Sequence, residues 1–296
     1  MSGLIREYEV NGDNYDEEKE TYSLWKEKDA GCFVHYIAGH RAGLRFCRCY
    51  LRKKDPSYLD LMNYTKAPNA EFWFGTDTLG RDIFSCIWHG GRVSLLIGVA
   101  STALSTVIAI VYGAISGIAG EKVDTLLMRF TEIILSIPNL LLIIFLQAIM
   151  GKATIGSISI VIGLTSWFGI AKIIRTEVRQ LRSSEYVIAA KCMGGSFWHI
   201  LWKHLAPNFV SSIMFMVVMN VRSAIVAEST LSFLGIGLPL DVISWGSMLS
   251  LAEKALMSRA WWIVLIPGIF LVVVLMCITS LGHWLQVRVS HQEAKL

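Results

Sequence analysis

RTEVRQLRSSEYVIAAKCMGGSFWHILWKHLAPN, residues 175–208, is a basic and partly amphipathic island between two apolar runs. Glu177, Arg179, Arg182 and Glu185 fall on what the spacing reads as a helix running out of the first of those runs. The small residues Ala189 and Ala190 follow, and then the pair Gly194 and Gly195. Paired glycines interrupt a helix, because they are costly to order and accept positive φ. The expected shape is therefore a short helix, a sharp turn and a second helix over 196–205, capped by Ser196 and ending before Pro207. Alanine and glycine let backbones approach closely, so such a hairpin suits docking into a partner's groove. A plain connecting loop is the other reading of the shape alone.

The surroundings of the island place it at a membrane. The chain of 296 residues is 54% hydrophobic and 17% charged, and a mean hydropathy of +0.52 is too apolar for an ordinary soluble domain. The net charge of +4 matters less than its segregation: residues 1–92 carry both signs densely, and 93–120 carry none. Five apolar runs, 93–118, 133–150, 155–174, 209–227 and 262–282, meet the length of roughly 20 residues (about 17–25) that a helical span needs. The expected fold is all-α, a polytopic transmembrane helical bundle with five core spans. Gly113 and Gly117 in the first run have the spacing that marks close helix packing, and Pro138 is placed to kink the second. Lys172, Arg175, Arg179, Arg182, Lys191 and Lys203 gather at the island, whereas the loop between the second and third runs offers Lys152 alone. Basic residues concentrate on the cytoplasmic side, so the island and the C-terminal tail, 289–296, are expected there. The start of the chain has no pattern of a cleaved secretory signal, so insertion is expected to rely on internal spans.

Several motifs then carry a resemblance. Ala189-Ala190, Gly194 and Pro207 resemble the "EAA" loop of permease subunits of binding-protein-dependent ABC importers. The family's glutamate falls at Ile188 and the leucine before its proline at Ala206, while Glu185 lies one turn before Ile188 on the same face. FGTDxxGRDxxS from Phe74 to Ser85, with the GxR and SLxxG that follow, resembles the entry to the first core helix of the peptide-type permeases; Trp73 and Trp88 alone would read as headgroup-level anchors. Asp124, Met128, Arg129 and Pro138 match a further family pattern, and ExxLSFLGxG with SWGxML, from Glu228 to Leu249, is similar to a stretch specific to that family.

The resemblance spans about 72–282 and implies a type I ABC importer permease, the C-type subunit for dipeptides, oligopeptides or nickel, in a bacterial inner membrane. It implies three sorts of partner besides the lipid bilayer: a second permease subunit in a heterodimer, two cytoplasmic ATP-binding subunits and an extracytoplasmic substrate-binding protein. Coupling to the ATPases would fall on Glu185, Ala189, Ala190, Gly194 and Pro207 within 175–208. Gly194→Trp or Ala190→Arg would then abolish transport by filling the space that docking needs. Arg222, deep in the fourth run, and Glu228 are candidates for the translocation path, since a charge inside a span faces the bundle or water. The domain division that follows is 1–71 polar and atypical, 72–288 the permease domain, and 289–296 the tail.

Other chemistry finds little support in the residues. No phosphate-binding G-x-x-x-x-G-K-[ST] is present, nor H-E-x-x-H or G-x-S-x-G, so no cofactor, metal or nucleic acid is expected, and no catalysis in this chain. His199 and His204 are five apart and share a helical face poorly. A membrane-embedded enzyme using the Ser, Glu and Trp residues of 228–247 is the alternative from another class, and a permease remnant is a third reading. Residues 30–54 depart most from the family, which has a further transmembrane helix there. Here the longest charge-free stretch is 30–39, about half a span. Cys32, His35, Cys47 and Cys49 could be read as zinc ligands, but Cys47-x-Cys49 is tighter than zinc motifs use. A shift of reading frame over this segment explains the departure better, and five spans are expected without it.

Overall fold

A computed structural model describes residues 59–251, 255 and 259–293 of the chain. Residues 30–54, and with them the zinc reading of Cys32, His35, Cys47 and Cys49 and the expected lack of a span there, lie outside the described residues. Helices account for nearly all of the regular structure described. Helix α1, Ile83–Ile118, is followed by α2, Glu121–Leu135, α3, Asn139–Met150, α4, Ile155–Thr165, and α5, Phe168–Leu181. The island forms α6, Glu185–Cys192, and the single turn α7, Phe197–Ile200. A widened turn, Leu201–Leu205, leads into α8, Ala206–Phe233. The short α9, Trp245–Leu249, and the long α10, Trp262–Glu293, complete the order.

Ile83–Ile118, Ser212–Phe233 and Trp262–Arg288 are each long and apolar enough to cross a membrane alone. The α2–α3 and α4–α5 pairs qualify only as bent units, with angles of 88° and 43°, and counting each as one span gives five. The first bend was marked in the sequence by Pro138, which caps α3 with φ −54° and ψ 125°. Proline offers no N–H to the preceding turn and drives the residue before it out of the helical region, so Ser136 and Ile137 end α2.

The second bend falls inside the run 155–174, which contains no proline. The Thr165 hydroxyl bonds back to the Val161 and Ile162 carbonyls, both at 3.1 Å, and the Ser166 hydroxyl to Ile162 at 2.7 Å. Consecutive hydroxyls competing for the same carbonyls loosen the ladder. The Ser166 carbonyl is instead taken by Asn220 Nδ2 of α8, at 3.1 Å.

A stripe of small residues along α1 holds the bundle together. A Cβ on Gly113 would sit 2.6 Å from the Ala171 carbonyl, one on Gly117 2.7 Å from Val178, and one on Gly98 2.9 Å from Ile225. The lower half of α1 thus seats α5 and the middle seats α8, at distances that any side chain would forbid. Ala171, Ile174, Val178, Leu201, Leu205 and Phe209 fill the core at the island end. At the opposite end Ile87, Ile243, Met248 and Ile263 fill another.

Candidate functional site

At the island, the residues build a hairpin whose two faces differ. Helix α6 ends in a turn in which Gly194 takes φ +83° and the Gly195 N–H donates to the Ala190 carbonyl at 3.0 Å. This 6→1 closure needs a residue that tolerates the left-handed region, which accounts for the first glycine. The second is fixed by space, since a Cβ on Gly195 would lie 2.8 Å from the Ala190 carbonyl. Ser196 accepts from the His199 N–H at 3.3 Å and caps the next turn, as expected.

The end of that second helix differs from the sequence reading. The chain does not stop before Pro207; it widens over Leu201–Leu205 and runs on into α8, with proline in the first turn of the new helix. A first-turn residue has no intrahelical use for its N–H, and a widened turn absorbs the mismatch, so proline is accommodated without a break.

The two alanines part company. Ala190 is 4% exposed and packs in the core with Val187, Ile200 and Leu201, whereas Ala189 is exposed. Ala190→Arg would therefore force a charge into the hairpin's own core, which corrects the expectation that it acts by blocking a groove. The uncovered face is made by Glu185, Tyr186, Ile188, Ala189, Cys192 and Met193, the last 81% exposed. Ile188, where the family's glutamate falls, thus contributes an apolar side chain to that face. Gly194 stands at its apex with nothing within 4 Å of an added Cβ.

Opposite the island, Glu228 is buried in α8 and has no exposed surface in this structure. Its carboxylate accepts from Ser244 at 2.8 Å, Ser232 at 3.0 Å and Ser94 at 3.2 Å. Ser94 in turn accepts from the Trp245 N–H at 3.1 Å, and the Trp245 indole donates to the Ile87 carbonyl at 3.0 Å. A Cβ on Gly246 would strike Glu228 at 2.7 Å, so only glycine lets α9 lie this close. The Ser, Glu and Trp residues that suggested an enzyme therefore form a closed fastening of α9 onto α1 and α8. Glu228 is thus tied to α1, to its own helix and to the N-cap of α9 through three serines.

The FGTDxxGRDxxS motif builds the adjoining cap. Asp77 accepts from Arg81 Nε at 2.7 Å in a buried pair, and Arg81 Nη1 reaches the Leu240 carbonyl at 3.0 Å. Asp82 caps α1 by accepting from the Ser85 N–H at 3.1 Å. Arg222 is exposed on α8, ten residues from one end of Ser212–Phe233 and eleven from the other. No ion pair among the described residues reaches it.

Two features escaped the sequence reading. Asn220 bridges the Ser166 carbonyl and the Ser105 hydroxyl, and a lone amide in an apolar run was the available signal. Asp124 meets Arg175 and Arg179 across more than fifty residues of sequence, which no local pattern encodes.

Comparison with known proteins agrees with this architecture. Residues 88–291 match the family described as binding-protein-dependent transport system inner membrane component. The chain is 37% identical over 219 residues to the dipeptide transport system permease protein DppC of Bacillus subtilis, covering 74% of this chain and 68% of that one. It is 38% identical over 228 residues to the oligopeptide transport system permease protein OppC of the same organism, covering 77% and 72%. For OppC of Haemophilus influenzae the identity is 39% over 222 residues, covering 74% and 71%. A chain in an inward-facing structure of the MetNI methionine ABC transporter has the same fold, with a TM-score of 0.54 at 16% identity, covering 69% of this chain and 96% of that one. The chain therefore belongs to the binding-protein-dependent transport system inner membrane components, as a multi-pass permease subunit of an ABC importer.

Proposed function

We propose that this chain is one half of a peptide-importing pore, driven through α6 by ATPase subunits. The observation that carries the coupling is the uncovered face of Tyr186, Ile188, Ala189 and Met193, an apolar knob beside a glycine apex at the end of α6. Apolar surface of that kind on a basic, membrane-proximal hairpin is best accounted for by a protein groove. Glu185 supplies a carboxylate at the rim, and Pro207 lies where the hairpin turns into α8. The Lys and Arg residues of the island set this end in the cytoplasm, and the C-terminal end of α10 with it.

The assembly supported by this reading has a second permease subunit, two ATP-binding subunits and an extracytoplasmic binding protein. Peptides are the cargo class because the relatives at 37–39% identity are named for dipeptides and oligopeptides. Arg222 borders the route or the second permease, since a charge left in lipid at mid-span costs roughly 2.5–3.5 kcal/mol. Glu228 enters the reading through the α8–α9 segment that it fastens.

Reconstitution tests the proposal. The chain, the second permease and the ATPases are placed in proteoliposomes with the binding protein, and uptake of a radiolabelled dipeptide and a radiolabelled pentapeptide is followed. ATP-dependent accumulation of at least one peptide is expected, and none when this chain is omitted. Full uptake without this chain would remove the assignment.

A further inference from the structure

Asp124 sits in the first turn of α2 and is 3% exposed, and its carboxylate is fully engaged. One oxygen accepts from the Ser116 hydroxyl at 2.6 Å, in the last turn of α1. Arg175 of α5 grips both oxygens through Nε and Nη2, and Arg179 Nη1 reaches the second at 2.7 Å. Paired forks of this kind fix geometry as well as charge. At the C-cap of α5, Arg182 Nη1 donates to the Gly117 and Ala119 carbonyls at 3.3 and 3.2 Å, where α1 ends. Gly117 meanwhile lets Val178 lie directly against α1. Two arginines on α5 and a third at its C-cap thus tie it to the adjacent ends of α1 and α2, and α6 begins at Glu185, three residues past Arg182.

The other end of α5 is set at an angle. There the helix breaks by 43° from α4, and the carbonyl freed at Ser166 is held by the Asn220 amide. Helix α5 is therefore clasped at the end next to α6 and joined through a break at the end within the bundle.

We propose that Asp124 is a positioning residue for energy coupling: it fastens α5 to α1 and α2, so that a displacement of α6 moves all three helices together. Without the clasp, the same displacement is absorbed by tilting α5 about Ser166 and Trp167. This inference rests on the reading of α6 as the docking element. It assigns Asp124 no contact with substrate or ATP.

The test is Asp124→Asn in the complete reconstituted transporter, read as dipeptide uptake per ATP hydrolysed. The ATPases should still co-purify and basal hydrolysis should stay within about twofold, while the ratio falls about tenfold, within the range of coupling free energies. Arg175→Lys keeps the charge but cannot fork, and should lower the ratio about threefold. Arg179→Lys, which replaces a single hydrogen bond, should stay close to wild type. A purely structural role would instead lower assembly and leave the ratio of the assembled complexes unchanged. An unchanged ratio in assembled Asp124→Asn overturns the proposal; where that variant does not assemble, an unchanged ratio in Arg175→Lys does so. Failure of the docking reading itself appears separately, as normal uptake in Gly194→Trp.

Discussion

Gly194→Trp is expected to bring peptide uptake to background while the chain still inserts into the membrane and pairs with the second permease. The backbone at Gly194 is left-handed, φ +83°, which costs an L-residue roughly 1–2 kcal/mol. That strain is too small to unfold the bundle. Among the described residues nothing beyond its chain neighbours lies within 4 Å of an added Cβ, so a larger side chain starts from open space at the hairpin's apex. Its harm falls on whatever docks there. Gly194→Ala carries the same backbone strain without the bulk and should keep most of the uptake. Peptide uptake together with pull-down of the ATPases reads both variants, and normal uptake with tryptophan in place would sink the docking assignment.

Trp245→Ala should have the largest effect on stability, a loss of about 3–5 kcal/mol. The side chain is 1% exposed, lies against Gly91 and close to Phe270, and donates its indole N–H to the Ile87 carbonyl. Truncation leaves a cavity where α1, α8, α9 and α10 meet, and the surrounding helices are too long and too closely seated to collapse into it. Thermal unfolding of the detergent-solubilised protein measures the loss, with Trp245→Phe as the comparison that keeps most of the volume. A Trp245→Ala protein within about 1 kcal/mol of wild type would show that α9 is not held by this side chain.

Much of this was legible in the residues because membrane insertion imposes rules that act locally. Span length, the Pro138 elbow and the Gly113–Gly117 contact follow from requirements that a few neighbouring residues satisfy on their own. The island was legible for the same reason: its glycines and Ser196 cap do what their chemistry requires. What the sequence concealed depends on partners distant along the chain. The α4–α5 break is stabilised by Asn220, and which alanine faces outward is decided by Ile200 and Leu201 folding back over α6. Asp124 was visible as a pattern member, yet its function as a clasp appears only when α5 lies beside it. The motif at Phe74–Ser85 reads as a family signature, and the structure gives its physical basis in one buried ion pair and one helix cap.

Disulfide crosslinking of the hairpin to the ATPases tests the central claim most directly. In transporters carrying Cys192→Ser, cysteine is placed at Ala189 or at Ala190, and single cysteines are placed around the ATPase groove. The account predicts crosslinks from Ala189→Cys that strengthen or weaken when ATP is added, and none from the buried Ala190→Cys. Equal crosslinking from both positions, or none from Ala189→Cys in a complex that still transports peptide, would contradict it.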